Sequence, residues 1–184
     1  MKQVLVCCGT SCLASGSMAV LTALREKANT LSVDIQPRFK ATGCNGFCEN
    51  GPIVKILLED GSDISYYRVR LSDVDEIVSE TLRHGRVIPR LCFTGSDGNK
   101  VTEQRENPFY ARQVKNALRN IGLIDPLDIM DYESRGGYTA LRNALARGGE
   151  WILSEVEVSG LRGRGGAASL PRQSGALGQH RNGK

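Results

Sequence analysis

The sequence predicts an α/β domain followed by a short helical segment. Short apolar runs of strand length alternate with helix-type patterns through residues 1–93. After a polar, Gly-containing stretch at 94–106, the spacing of apolar residues becomes helical. Hydrophobic residues make up 40% and charged residues 24% of the 184 residues, which is typical of a globular protein rather than a disordered or membrane one.

The elements of residues 1–93 follow from local patterns. Ser17 is an N-cap candidate, and Asp60-Gly61 is a turn signal between two apolar runs. Ser72 precedes acidic residues that suit the first turn of a helix. The predicted elements are a strand at 2–7, a helix at about 18–28, a strand at 32–38, a hairpin of 53–58 and 64–69, and a helix from 72 that ends at Gly85. This β-α-β-β-β-α order resembles a small thioredoxin-like sheet.

Residues 94–106 are predicted to be a linker. Beyond them, Pro108 is expected to open a helix that runs through Ile121 and closes at Gly122. Further helices are expected at about 128–134, at 138–145 and from about 150 to Gly160. We therefore expect a helical segment over 107–167.

The excess of positive over negative charge lies at the end of the chain. The chain has 24 basic and 20 acidic side chains, but five basic residues follow Leu161, which leaves 19 basic and 20 acidic residues before them. This near-neutral body excludes nucleic-acid binding by the main domain. Because no apolar run approaches ~20 residues and no secretory signal precedes Gly9, we expect no membrane insertion and a cytoplasmic location.

Six cysteines are present, and five of them lie in two Gly-rich stretches that follow predicted strands. Such clustering in a cytoplasmic protein favours metal or redox chemistry over disulfides. Cys44 and Cys48 form one pair, and Cys12 with Cys7 or Cys8 forms the other. Four thiolates suit either a [2Fe–2S] cluster or tetrahedral zinc. The spacings are unusual for zinc, and the neighbouring glycines let backbone N–H groups approach the sulfurs, so a cluster is favoured.

Three alternatives stay open at this point. Spacing alone does not choose between Cys7 and Cys8. A zinc-binding structural or interaction module would use the same thiolates. A thioredoxin-like thiol oxidoreductase is disfavoured because no Cys-x-x-Cys opens a helix. Cys92 is expected to be a buried free thiol.

Gly43-Cys-Asn-Gly-Phe-Cys-Glu-Asn-Gly-Pro-Ile-Val54, together with Val-Leu-Val-Cys7 and Cys12, carries a specific resemblance. Residues 1–93 resemble the thioredoxin-like [2Fe–2S] ferredoxin domain of NADH-dependent oxidoreductases. The resemblance implies a [2Fe–2S] cluster held by Cys7, Cys12, Cys44 and Cys48, and a role in electron transfer.

Residues 107–167 resemble the start of the 51-kDa-type flavoprotein subunit of complex I and of NAD-reducing or bifurcating hydrogenases. Asn107-Pro-Phe-Tyr, Gly136-Gly-Tyr138 and Ser159-Gly-Leu carry this resemblance. Gly163, Arg164, Gly165 and Gly166 then resemble the beginning of an FMN-phosphate loop, where glycines admit main-chain donors. The implied partners are 24-kDa-type and iron–sulfur or hydrogenase subunits, with quinone, protons or ferredoxin as the final acceptor.

After Ala167 the resemblance stops. Shifting the codons of residues 168–175 by one base permits Gly-Phe-Pro-Thr-x-x-Lys-Trp, which is similar to how the flavoprotein family continues. We therefore interpret residues 168–184 as a frame-shifted, disordered tail. The NADH site and most of the FMN site would then be missing, so this chain is predicted not to bind FMN or NAD, and not to catalyse alone.

Overall fold

A four-stranded mixed sheet organises the first part of the molecule. The computed structural model describes residues 2–30 and 37–162. The strands are β1 (Gln3–Cys7), β2 (Arg38–Thr42), β3 (Val54–Leu57) and β4 (Asp63–Tyr66). They lie in the order β2-β1-β3-β4, with β2 parallel to β1 and the other neighbours antiparallel. The central β1 therefore ends beside β2, and the loops that follow both strands emerge at the same edge.

Helices α1 (Thr10–Ala14) and α2 (Ser17–Thr30) follow β1. A third helical segment, α3, consists of a 3-10 turn Leu71–Asp73, an α-helical turn Val74–Glu76 and a π-helical stretch Ile77–Arg83. The main core joins apolar side chains of the sheet to one face of α2 and α3, among them Val4, Val6, Leu24, Ile56, Tyr66, Ile77 and Leu82. Burial of this apolar surface is the main force that holds the helices to the sheet.

The sequence predicts most of this unit correctly. Strand β1, helix α2 and the β3–β4 hairpin are confirmed. The second strand was expected at 32–38, and residues 31–36 of it lie outside the described part of the chain. The prediction that it stops at Arg38 is wrong, because β2 continues to Thr42 by pairing residue for residue with β1. The expected loop at 8–12 contains helix α1.

The predicted linker contains a short hairpin of β5 (Phe93–Thr94) and β6 (Lys100–Val101), followed by a 3-10 turn Gln104–Glu106. Helix α4 comprises only Pro108–Ala111, so the helix expected to reach Gly122 is wrong. Val114 and Leu118, which were expected on the apolar face of that helix, are 85% and 57% exposed. Helix α5 (Ile129–Ser134) lies where a helix was predicted. Residues Met1–Tyr132 form one compact unit. The domain limits that the sequence predicts, 1–93, 94–106 and 107–167, stay a prediction.

The second compact unit is Glu133–Lys184. Its described part contains α6 (Thr139–Arg147) and α7 (Gly149–Val158), close to the predicted positions. Gly148 joins them with a φ of 85°, a backbone conformation that glycine adopts without strain. Within residues 2–30 and 37–162, no helix is both long and apolar enough to cross a lipid bilayer.

Candidate metal centre

Cys7 and Cys12 lie next to each other at the end of the central strand. Cys7 is the last residue of β1, and Cys12 lies on α1, which begins three residues later. Both are 1% exposed, and they lie in the same cluster of buried side chains. A strand that turns immediately into a short helix thus presents two thiols on the same side of the turn.

Cys44 and Cys48 lie in the loop that follows β2. Their Sγ atoms are 3.6 Å apart, and the backbone N–H of Gly46 donates to Cys44 Sγ at 3.3 Å. Gly46 has a φ of 87°, so the tight turn between the two cysteines requires glycine. Cys48 is exposed, and it begins a 3-10 turn that ends at Asn50. An N–H directed at a sulfur favours its anionic form.

Two glycines allow the two cysteine pairs to approach. A Cβ placed on Gly9 would lie 2.7 Å from Cys44 Cβ and 3.0 Å from its Sγ. A Cβ placed on Gly51 would lie 2.6 Å from Cys12 Sγ. Both separations are shorter than real Cβ contacts, so only glycine fits. Cys44 of the 43–51 loop therefore packs on the backbone of Gly9, and Cys12 of α1 packs on the backbone of Gly51.

The electrostatics connect all four thiols. Burial raises the pKa of Cys12 to about 12, helped by its hydrogen bond to Cys7 and by the charges of Cys7 and Cys44, while the backbone of Ile53 acts in the opposite direction. The hydrogen bond to Cys44 raises the pKa of Cys48, and the charges of Cys44 and Cys7 add to it. If all four thiols were ionised, their negative charges would repel one another, and bound metal cations would relieve that repulsion.

The sulfurs are arranged in pairs rather than around one point. Among the described residues, no three His, Cys, Asp or Glu side chains form a group that would hold a single metal ion. In a [2Fe–2S] cluster four cysteines serve two irons, so two separate pairs are the donor set that it needs.

The two remaining cysteines have other surroundings. Cys8 follows Cys7 but contacts helix α2, where its Sγ is 3.6 Å from Met18 Sδ and 3.9 Å from Ser17 Oγ. Cys92 is buried in the main core, as expected, with Sγ 3.6 Å from the Ile88 carbonyl oxygen. Burial raises the pKa of both thiols.

Aromatic rings cover the loop between Cys44 and Cys48. Phe47 stacks on Phe109, with ring centroids 4.4 Å apart and an interplanar angle of 11°. Other rings pack around Phe47 with centroids within 6 Å, namely Tyr67, Phe93 and Tyr110. Sequence reasoning missed this cover, because its members are distant along the chain and carry no metal-binding groups.

Asn107 anchors the stretch from Asn107 to Asp131, which we call the covering segment. Its side chain is fully buried, with Nδ2 donating to Tyr67 Oη at 3.1 Å and Oδ1 accepting from the Phe109 N–H at 3.0 Å. Asn107 is thus the N-cap of α4, with Pro108 in the first position. An Asn-Pro pair is a local helix-start signal, and it is the one sequence feature from which this anchor was predictable.

A buried ion pair holds the far end of the covering segment. Lys40 Nζ on β2 lies 2.7 Å from Asp131 Oδ2, and the side chains are 8% and 3% exposed. Arg38 adds a contact of 3.1 Å to Asp131 Oδ1, and the Asp125 N–H donates to Oδ2 at 2.9 Å. Burial opposes ionisation of Asp131, but the Lys40 and Asp125 hydrogen bonds and the charges of Lys40 and Arg38 lower its pKa overall.

A family model of the thioredoxin-like [2Fe–2S] ferredoxin matches residues 1–82. The chain is also 30% identical over 80 residues to a 2Fe-2S ferredoxin of Clostridium pasteurianum, which covers 44% of this chain and 76% of that protein. This chain belongs to the thioredoxin-like [2Fe–2S] ferredoxin family. The ferredoxin domain is 37% identical over 89 residues to a 2Fe-2S ferredoxin of Aquifex aeolicus, which covers 46% of this chain and 74% of that protein.

Two further comparisons concern the ferredoxin domain. The crystal structure of the thioredoxin-like [2Fe-2S] ferredoxin from Aquifex aeolicus is 33% identical, covers 50% of this chain and 94% of that one, and has a TM-score of 0.44. The NADP-reducing hydrogenase subunit HndC of Solidesulfovibrio fructosivorans is 45% identical over 56 residues. That match covers 30% of this chain and 11% of the hydrogenase subunit, so this chain spans a small part of that relative.

The predicted α/β thioredoxin-like fold and the [2Fe–2S] cofactor are confirmed by the family. The protein is a ferredoxin-type electron-transfer module, which displaces the zinc module and the thiol oxidoreductase that the sequence had left open. The residues fit the cluster, since two thiol pairs, a sulfur-directed N–H and two closely packed glycines are present. Gly163, Arg164, Gly165 and Gly166, and the tail 168–184, lie outside the described residues.

Proposed function

We propose that this ferredoxin module carries electrons inside an NADH-dependent oxidoreductase complex and that Cys7, Cys12, Cys44 and Cys48 hold its cluster. The observation that carries the proposal is the close packing of the two thiol pairs, in which Cys44 contacts Gly9 and Cys12 contacts Gly51. Soft thiolate ligands in this number suit a [2Fe–2S] cluster.

The surroundings of the first two cysteines support Cys7 rather than Cys8 as the ligand. Cys7 lies in the same buried cluster as Cys12, and its charge raises the pKa of both Cys12 and Cys48. Cys8 instead contacts Met18 and Ser17. Consecutive residues of an extended strand point to opposite faces, so a strand that directs Cys7 to the site directs Cys8 away from it.

The cluster would supply a one-electron redox centre, and the protein residues set its surroundings. Burial of Cys7 and Cys12 limits solvent on one side, while Cys48 is exposed on the other. The Gly46 N–H directed at Cys44 Sγ stabilises negative charge on the sulfur. Hydrogen bonds to sulfur and solvent exposure are the means by which a protein tunes the potential of such a cluster.

Two observations support the link to an NADH-dependent complex. The HndC match places a hydrogenase subunit among the relatives, and residues 107–167 resemble the start of a flavoprotein subunit. The partners we propose are a 24-kDa-type subunit and iron–sulfur or hydrogenase subunits. The covering segment from Asn107 to Asp131 packs on the ferredoxin unit through Tyr67 and Lys40, which supports a function for that segment together with the cluster.

Anaerobic purification with iron and sulfide counts and an EPR spectrum of the reduced protein tests the cluster. About two irons and two sulfides per chain are expected. Cys7→Ser, Cys12→Ser, Cys44→Ser and Cys48→Ser should each lose the native visible absorption, while Cys8→Ser and Cys92→Ser should keep it. A Cys7→Ser variant with unchanged absorption, or a Cys8→Ser variant without it, would contradict the ligand set.

The NADH link has its own test. The complex is purified from its host through an affinity tag on this chain, and NADH is added under anaerobic conditions. Bleaching of the cluster absorption in the complex, but not in the isolated chain, is expected. Bleaching of the isolated chain by NADH, or no bleaching of the complex, would overturn this part of the proposal.

A further inference from the structure

Two arginines project from the segment that follows β4. Tyr67 and Val69 are buried, whereas Arg68 and Arg70 are exposed in the bend that follows β4. Arg68 has a φ of 53°, a conformation that non-glycine residues rarely adopt. It is held there by a hydrogen bond from its N–H to the Asn50 carbonyl oxygen at 2.9 Å. We call Arg68 and Arg70 the arginine ridge.

The arginine ridge separates two surface hollows. One hollow of about 640 Å³ lies on the side of Asn50, Arg90 and Lys100, and the other of about 510 Å³ lies on the side of Gly51 and Pro52. Both arginines line both hollows. The ridge therefore lies between two neighbouring hollows and forms part of the wall of each.

This surface adjoins the exposed side of the cysteine site. Asn50, which accepts the Arg68 hydrogen bond, is the last residue of the 3-10 turn that begins at Cys48. Cys48 is the exposed member of the four cysteines. Glu49 and Gly51 line the smaller hollow and Asn50 lines the larger one, so both hollows reach the turn that carries the exposed Cys48.

The charge of the surface is positive. None of the ion pairs among the described residues uses Arg68 or Arg70. Arg90 is neutralised by Asp73 and Glu76, whereas Lys100 donates to the uncharged Thr94 hydroxyl. Glu49 is the acidic group that lines the smaller hollow. Asp73, which lines the larger hollow, is paired with Arg90, so the ridge and Lys100 outnumber Glu49 and leave a net positive charge on this surface.

We propose that the arginine ridge is the docking surface for an acidic face of a partner redox protein, and that electrons pass between that partner and the cluster beside Cys48. In this transfer one electron leaves the reduced cluster and enters the partner's oxidised centre, and no bond forms or breaks. The inference rests on the proposed function, because it requires a cluster at the four cysteines.

A protein fits this surface better than a small anion does. A built anion site would enclose the anion with buried donors, whereas both arginines are exposed on a ridge between open hollows. Leu71, which lines the smaller hollow next to Arg70, is 57% exposed and offers an apolar contact. Exposed charges around an apolar contact are typical of interfaces in which complementary fields steer association.

Stopped-flow oxidation of the reduced protein tests the proposal, with cytochrome b5 as an acidic acceptor and cytochrome c as a basic one. At low ionic strength, Arg68→Glu with Arg70→Glu should slow the reduction of cytochrome b5 by about tenfold or more and should accelerate that of cytochrome c. The matched control is Arg25→Glu with Arg83→Glu, which makes the same change of net charge outside both hollows. We expect it to change either rate by less than about twofold.

Equal effects of the ridge and control variants, or no effect of the ridge variant, would overturn the proposal. The neutral variant Arg68→Gln with Arg70→Gln provides an intermediate charge and should give an intermediate rate. Iron content and the EPR spectrum of each variant separate the two proposals. An iron-free wild-type protein refutes the proposed function, whereas intact spectra with unchanged rates refute the docking surface alone.

Discussion

The ring of Phe109 lies flat on the ring of Phe47, with 4.4 Å between the centroids. Phe47 precedes Cys48 in the loop after β2, whereas Phe109 lies on α4, far along the chain. The contact therefore joins the cysteine loop to a segment outside the part of the chain that the family model matches. The stability of the site should consequently depend on residues that carry no metal-binding group.

Removal of the covering ring tests this dependence. Phe109→Ala should lower the free energy of unfolding by about 1–2 kcal/mol, because a stacked aromatic pair contributes about 0.5–1.5 kcal/mol beyond burial and Phe109 is partly exposed. The variant should also lose its visible absorption faster in the presence of a chelator. Phe109→Tyr keeps the ring and should behave as the wild type, and equal loss rates for Phe109→Ala and wild type would contradict the role of the cover.

The ion pair between Lys40 and Asp131 provides a second test. Asp131→Asn would leave Lys40 buried beside an uncharged group and should destabilise the protein by about 3–5 kcal/mol in urea unfolding. Asp128→Asn is the matched control, since Asp128 pairs with Arg38 at the surface, and it should cost less than about 1 kcal/mol. Similar losses of unfolding free energy for both variants would contradict the view that burial of the Lys40–Asp131 pair makes it more important than the surface pair.

The same carboxylate predicts a dependence of stability on pH. The folded-state pKa of Asp131 is lowered, so its contribution is fully present above the ordinary aspartate pKa of about 3.9 and is lost as the pH falls through the lower folded value. Urea unfolding of the wild type should therefore show a loss of stability below about pH 4 that is smaller in Asp131→Asn. Parallel pH profiles for the two proteins would contradict this assignment.

The close approach at Gly9 predicts a site-specific effect of one methyl group. Gly9→Ala should reduce iron content sharply, because its Cβ would lie 2.7 Å from Cys44 Cβ and force the two loops apart. Gly43→Ala is the control, since its Cβ would meet Ile121 Cγ1 at an ordinary 3.4 Å. Iron and sulfide analysis of both variants measures the difference, and full cluster content in Gly9→Ala would contradict the packing argument.

Local patterns were enough to predict much of the ferredoxin unit. The apolar run of β1, the helix after Ser17 and the turn at Asp60-Gly61 are each encoded within a few residues, and all were predicted correctly. The end of β2 was not, because its pairing with β1 depends on a strand more than 30 residues away. The helix predicted up to Gly122 was also wrong, since α4 ends at Ala111 and Val114 and Leu118 of the expected apolar face are 85% and 57% exposed.

The spacing of the cysteines and their glycine neighbours by themselves predicted a site of four thiolates and favoured a [2Fe–2S] cluster as its occupant. Spacing left Cys7 and Cys8 equivalent, and the tertiary structure gives them different surroundings, with Cys7 in the buried cluster of Cys12 and Cys8 against Met18. The tertiary structure alone also revealed the cover by Phe109 and the ion pair of Lys40 with Asp131. The reason is physical: ligand spacing and turn chemistry are local along the chain, whereas packing contacts join residues that no short-range pattern relates.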